Sequence, residues 1–190
     1  MSSLEERYNT LINLITSSDD QRVNQMVNFI SHIENETEWF KSPASTKYHG
    51  SYEGGLIEHS VNVAEIALKL KKLFAPEISI CSVIFTALFH DVGKVGLYIQ
   101  KEPTEKQIQY GYPGSICYNT DILNKHEIRS IQLIQEYVNL TEDEFLAIQY
   151  HNSPWDGNKD CAFYKCKLMT ILQNADYYAT VYLEKGGSRN

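Results

Sequence analysis

The chain has 190 residues, enough for one domain with a sizeable core, and with 43% apolar and 12% aromatic residues it is not a disordered chain. Seventeen basic against 24 acidic side chains give a formal charge of −7, which argues against a broad grip on long nucleic acid but leaves room for a small phosphorylated ligand. No apolar run approaches the roughly 20 residues of a membrane span and no signal-peptide pattern opens the chain. The cysteines Cys81, Cys117, Cys161 and Cys166 form no CxxC pair, so free thiols in a reducing cytosol are expected.

Leu4, Leu11, Ile12, Leu14 and Ile15 make one stripe at helical spacing, and Val23, Val27, Ile30 and Ile33 make another. They predict two packing helices over residues 1–40, with Ser17-Ser18-Asp19-Asp20 as the break and the source of caps for the second. The polar run Glu34 to Glu38 reads as a solvated face. Pro43 and three glycines then rule out a long helix over residues 42–55. Tyr48, His49 and Tyr52 in this loop either line a pocket or belong to an ordinary surface connection. Gly54-Gly55 turns the backbone into a helix from about Leu56 to Phe74, whose first N–H groups favour anions. Leu56, Val63, Ile66, Ala67, Leu70, Leu73 and Phe74 mark one apolar face of it, and His59 falls on that face.

After Ala75-Pro76, Ile80 to Phe89 is a helix apolar nearly all round, and it runs straight into His90-Asp91-Val92-Gly93-Lys94. Imidazole beside carboxylate at the end of a buried helix is costly to desolvate unless something binds both groups. A divalent metal does so. Alternation in Gln107–Tyr110 and Ser115–Tyr118 about Gly111-Tyr112-Pro113-Gly114 predicts a short β-hairpin near 107–118. It sits in an insertion, Gln100 to Thr120, that reads as a lid or as a contact between copies of the chain. His126 opens the next helix, with Ile128, Ile131, Ile134, Tyr137 and Val138 inward. Thr141 with Glu144 predicts a capping box for another, carrying Phe145, Leu146 and Ile148 and ending at Tyr150-His151. Asn152 to Lys159 is a loop. Phe163 to Leu183 is the last helix, with Leu168, Ile171, Leu172, Ala175 and Ala179 inward and Asp176 on the same side, where an unpaired carboxylate is costly.

Six residues thus share helix ends or inward faces: His59, His90, Asp91, His126, His151 and Asp176. Imidazole and carboxylate without thiolate suit Mn, Fe, Co, Ni or Zn, with Mg less natural beside so many histidines. The set exceeds what one tetrahedral ion needs, so the expectation is one ion or two per chain, with Asp91 as the bridge if there are two. Two ions about 3.5–4 Å apart suit phosphate-ester hydrolysis. Lys94 either reaches the phosphoryl oxygens or is a solvated lysine after a glycine turn.

The order His59…His90-Asp91…Asp176 resembles the HD-domain superfamily of metal-dependent phosphohydrolases. The added His126 and His151 are similar to the two-metal branch that includes HD-GYP cyclic-dinucleotide phosphodiesterases, and His90-Asp91-Val92-Gly93-Lys94 looks like that branch's HDxGK; the GYP signature is absent. The run Ser42-Pro43-Ala44-Ser45-Thr46-Lys47-Tyr48-His49-Gly50, followed by Tyr52-Glu53-Gly54-Gly55-Leu56-Ile57-Glu58-His59-Ser60, resembles the HD domain of YhaM-type 3′-to-5′ exoribonucleases. It also resembles small stand-alone HD hydrolases of phage and Firmicute type. The resemblance covers most of residues 40–184, while residues 1–40 read as helices where YhaM-type enzymes carry an oligonucleotide-binding barrel.

The resemblance implies an all-α HD fold, a helix bundle around a metal site, as a single domain over residues 1–190 with residues 1–40 packing on it. It implies hydrolysis of a phosphomonoester or phosphodiester of a nucleotide or short oligonucleotide by metal-activated water. Asp91 and Lys94 would be catalytic, the lysine as a point charge on phosphoryl oxygens. Tyr48, His49, Tyr52, Asn152 and Trp155 would contact base or phosphate. A 3′-to-5′ exonuclease on short oligonucleotides and a non-catalytic nucleotide-binding protein stay open beside it; the filled ligand positions speak against the latter. The compartment implied is the cytoplasm, that of a host if the chain is viral.

Overall fold

The computed structural model describes residues 3–110, 115–153, 161 and 164–184. Helix α1, Leu4–Thr16, starts at a capping box in which the Glu6 N–H donates to Ser3 Oγ and the Ser3 N–H to the Glu6 carboxylate. It buries Tyr8, Leu11 and Ile15, one helical face. Helix α2, Val23–Glu36, buries Met26, Phe29, Ile30 and Ile33 and leaves Val27 exposed. Its start has no side-chain cap; Asp20 instead holds Arg22, taking bonds from the Arg22 N–H and guanidinium.

The loop before the third helix folds back on itself through main-chain bonds from Ala44 N–H to Gly50 O and from Leu56 N–H to Ser42 O. A β-carbon on Gly55 would lie 2.0 Å from Gly50 O, so only glycine allows this approach. Helix α3, Gly55–Phe74, follows, and its last residues Leu73 and Phe74 are exposed where an inward face is expected. Helix α4, Ile80–Phe89, is buried from Cys81 to Phe89, which is why it needs no polar face and takes the centre of the bundle. Phe29 meets Phe85 and Phe89 edge-on, at 5.7 and 5.1 Å between centroids, and Trp39 packs on Phe89.

Past α4 a single 3₁₀ turn, Val92–Lys94, leads into strand β1, Tyr98–Lys101. It pairs antiparallel with β2, Ser115–Tyr118, Tyr98 opposite Tyr118. The downstream strand of the expected hairpin is there, but its partner lies upstream. The expected upstream strand, Gln107–Tyr110, is not formed; Glu105–Gln109 is the short helix α5 instead. Pro103, Thr104 and Glu105 are helix-start residues, and the Ile108 N–H closes a turn onto Thr104 O. The turn residues 111–114 lie outside the described residues.

Helix α6, His126–Gln135, buries Glu127, Ser130, Ile131 and Ile134, so the row facing inward is partly polar and Ile128 faces out. Helix α7, Glu142–Gln149, has the expected capping box, with Thr141 Oγ1 and Glu144 bonding reciprocally. Glu144 is fully buried and also takes bonds from Arg22 and Ser82, which ties α2 and α4 to α7 and satisfies a charge that would otherwise be costly there. Phe145 is partly exposed. Helix α8, Lys167–Tyr178, ends in a wide π turn over Ala179–Leu183, where one continuous helix is expected. The buried apolar side chains from Tyr8 to Ala179 form one continuous core, and Cys81, Cys117 and Cys166 are free thiols. Among the described residues no helix is long and apolar enough to cross a membrane.

Candidate metal centre

Five elements deliver the six expected residues to one place. His59 comes from the second turn of α3, His90 and Asp91 from the end of α4, His126 from the first position of α6, His151 from just past α7, and Asp176 from the last turn of α8. Gly93 lets α6 come close, because a β-carbon there would lie 2.2 Å from the His126 carbonyl oxygen. The Gly93 N–H donates to Ser130 Oγ, and Arg129 donates to the carbonyls of Gly93 and Val95.

Asp91 sits in the middle. Its Oδ2 is 3.6 Å from His59 Nε2 and 3.4 Å from His90 Nε2. Its Oδ1 is 3.3 Å from His126 Nε2 and 3.4 Å from His151 Nε2. Asp176 Oδ1 lies 3.2 Å from His59 Nε2. These separations are long for hydrogen bonds. They fit ligands sharing an ion, since two donors each about 2.1 Å from one tetrahedral ion lie about 3.4 Å apart.

The ring orientations make the same point. His90 Nδ1 is 2.8 Å from Ala87 O and His151 Nδ1 is 2.7 Å from Ile148 O, so in both rings Nδ1 carries the proton and Nε2 the lone pair. His59 Nδ1 faces the Glu184 carboxylate at 3.0 and 3.2 Å, which fixes the same tautomer. Lone pairs of imidazole then face lone pairs of carboxylate. His59 Nε2, His90 Nε2 and Asp91 Oδ1 are buried and have no hydrogen-bond partner among the protein groups. Buried acceptors pointed at one another need positive charge between them. His59, His90 and Asp91 form one group that could hold an ion, His90, His151 and Asp176 another, and Asp91, His126 and His151 a third, so the residues present fit a divalent metal.

The protonation balance follows. Burial works against charge on Asp91, yet Lys94 and His90 hold its carboxyl well below the ordinary range. Burial alone would lower the His59 imidazole, but Asp176 and Glu184 carry it up to about 10. Burial likewise opposes charge on His151, and Asp91 raises it. The carboxylates here draw in positive charge, which a metal supplies more completely than a proton.

His126 is held differently. The Asn152 amide donates to both His126 Nε2 and Glu127 Oε1, each at 2.9 Å, so the lone pair of this histidine already has a partner. Its Nδ1 lies 3.5 Å from Glu127, and its side chain is 19% exposed. Burial, ahead of the charges of Lys94 and His151, pushes it down to about 4.

Lys94 is no solvated lysine. It is buried, with Nζ 2.6 Å from Asp91 Oδ2, and Asp91 raises its pKa against the effect of burial. It lines a cleft of about 460 Å³, with Tyr48, His49, His126 and Asn152 also on its walls. His49 lies against His59, with ring centroids 4.8 Å apart and the rings tilted by 40°; both its ring nitrogens are buried without a hydrogen-bond partner, and burial lowers it to about 4. Tyr98 and Tyr118, a cross-strand pair with centroids 5.2 Å apart, form the outer wall. Tyr52 is not part of this cleft: it bonds Glu58 and lines a separate groove with Tyr8 and Phe40, because the Gly54-Gly55 turn leaves it on that side of α3. Trp155 lies outside the described residues. Sequence reasoning misses Glu184, Asn62, Glu127 and the tyrosine pair. Glu127 beside His126 is a signal in hindsight, as is Asn62, three residues after His59 on the same helix.

This helical scaffold, with its histidines and aspartates clustered on inward helix ends, belongs to a recognised class: the HD domain model matches residues 56–181, and the chain is a member of the HD-domain family. Domains of this family bind divalent metals. Over 66 residues the chain is 44% identical to the dihydroneopterin 2′,3′-cyclic phosphate phosphodiesterase of Methanocaldococcus jannaschii, a stretch covering 33% of this chain. The match spans only 26% of that relative's length. No solved structure matches the chain.

Proposed function

We propose that this chain is a metal-dependent phosphohydrolase that opens a phosphate ester of a nucleotide or nucleotide-like small molecule with activated water. The observation that carries the reading is the Asp91 carboxylate, whose two oxygens each face two imidazole nitrogens. On this reading His59, His90, Asp91 and Asp176 would hold one ion, and Asp91, His126 and His151 would hold a second if two bind. The donor set suits Mn, Fe, Co, Ni or Zn. The bound metal supplies an acidified water and neutralises charge on the phosphoryl oxygens.

The chain's own residues do the rest. Lys94, fixed by Asp91, is a buried positive charge on the cleft wall, placed to hold a phosphoryl oxygen as charge builds. His49, neutral at pH 7, offers a ring nitrogen to the ester, and Asn152 an amide. Tyr48, Tyr98 and Tyr118 give an aromatic wall for a planar ring. The name of the archaeal relative describes such a substrate, a cyclic phosphate diester on a pterin. The cleft's size and the net charge of −7 favour a small substrate over an exonuclease on short oligonucleotides. We read residues 1–190 as one cytoplasmic domain, in line with the continuous core and the free thiols.

The test is a screen of mono-, di- and triphosphates, linear and cyclic nucleotides and 2′,3′-cyclic phosphates with Mn²⁺ present. Turnover of one class, abolished by chelator, is expected. No turnover together with no metal uptake overturns the reading, while metal uptake with ligand binding and no turnover favours the non-catalytic alternative.

A further inference from the structure

A chain of hydrogen bonds runs from the first helix of the fold to His59. Arg7 on α1 makes a two-point pair with Glu65, at 2.9 and 2.8 Å, and its Nη2 also donates to Asn62 Oδ1 at 2.7 Å. Asn62 turns its amide nitrogen to Glu184 Oε1 at 3.0 Å. Glu184 then accepts a hydrogen bond from His59 Nδ1–H, with its two oxygens 3.0 and 3.2 Å away. Arg7 and Glu184 both lie outside the segment matched by the family model, residues 56–181.

The local structure explains how Glu184 gets there. In a regular α-helix, at about 100° per residue, a side chain eight positions after Asp176 points about 80° away from it around the axis. The wide turn over Ala179–Leu183, closed by the Glu184 N–H on Ala179 O, spends fewer degrees per residue and swings Glu184 back toward His59. The Glu184 side chain is 5% exposed. A carboxylate buried so far needs bonds to remain charged, and it has them from His59 and Asn62. Neither His90 nor His151 is supported in this way, since both donate to main-chain carbonyls.

We infer that Glu184 is a positioning residue for His59: its carboxylate orients the ring and strengthens Nε2 as a metal ligand, while Asn62 and Arg7 hold that carboxylate in place. A carboxylate on the far nitrogen of a ligating histidine fixes the tautomer and raises the basicity of the other nitrogen. A salt link on α1 thereby reaches the metal centre. The inference rests on the reading of His59 as a ligand.

The experiment is calorimetric titration of Mn²⁺ into the chelator-stripped full chain, paired with the visible spectrum of the Co²⁺ form. Glu184→Gln keeps the shape and loses the charge. It is expected to weaken Mn²⁺ binding by about 10–100-fold and to shift the Co²⁺ bands, with the far-ultraviolet dichroism unchanged. Asn62→Ala and Arg7→Met should weaken it in the same order along the chain, each by less. Wild-type Mn²⁺ affinity and an unshifted Co²⁺ spectrum in Glu184→Gln overturn the inference alone. A wild-type chain that takes up neither ion overturns the ligand reading and this inference with it. Should Glu184→Gln not fold, the same two measurements on Glu184→Asp and Asn62→Ala decide, with unchanged affinity in both as the refuting result.

Discussion

On the Oδ2 side of Asp91, His59 and His90 are buried, each has its far ring nitrogen anchored, and each points an unpartnered Nε2 inward. On the Oδ1 side His151 is held in the same way, but His126 is partly exposed, and its Nε2 is capped by the Asn152 amide. The imidazoles of the Oδ2 half are therefore preorganised to receive an ion beside the Lys94 ammonium, which donates to Oδ2 at 2.6 Å, whereas the Oδ1 half must first give up the bond from Asn152 to His126. Affinity depends on what the site already is before binding as much as on which ligands it counts. The two ions proposed here should then bind with unequal strength, the tighter one among His59, His90, Asp91 and Asp176.

The largest effect should come from Asp91→Ala, which removes the oxygen facing each half. Metal analysis should find neither ion, and turnover should vanish. Next come His126→Ala and His151→Ala, which should drop the weaker ion and leave the other; if both variants still carry two ions by metal analysis, the division into halves is wrong. Lys94→Met should keep metal content and fold yet lower kcat by roughly 10²-fold, the usual cost of one charge-stabilising donor. A rise in KM alone would make Lys94 a binding contact used equally in ground and transition states. Asn152→Ala should sharpen the contrast from the other direction. Freeing the His126 lone pair returns about 1 kcal/mol, so the second ion should bind about fivefold more tightly in a Mn²⁺ titration. Tyr52→Phe sets the floor: away from the cleft, it should change kcat/KM hardly at all.

Much of this organisation is legible in the sequence. The helix from Ile80 to Phe89 and the six converging residues can be read because apolar periodicity and costly buried polar groups are local signals. The exposed Ile128 shows where the signal fails, since α6 turns Glu127 and Ser130 inward to meet the backbone at Gly93. Residues 107–110 alternate like a strand and form a helical turn, a case of start residues overriding alternation in a short segment. Glu184 is invisible to any 3.6-residue count because a π turn places it. The Asn152 cap on His126 depends on how two distant loops meet, which no spacing encodes.

The contact at Gly93 has a consequence for how the molecule softens with heat. There main chain rests on main chain, with the His126 carbonyl too near for even a methyl group, while Arg129 and Ser130 pull the same two segments together. The span between the halves is thus held by a hard repulsive wall on one side and by hydrogen bonds on the other. Side-chain packing can loosen by degrees, but a pair of touching backbones parts only when a whole element leaves. Warming should therefore fray the two-stranded insertion long before it alters the spacing around Asp91, so that the centre keeps its dimensions until the bundle itself opens.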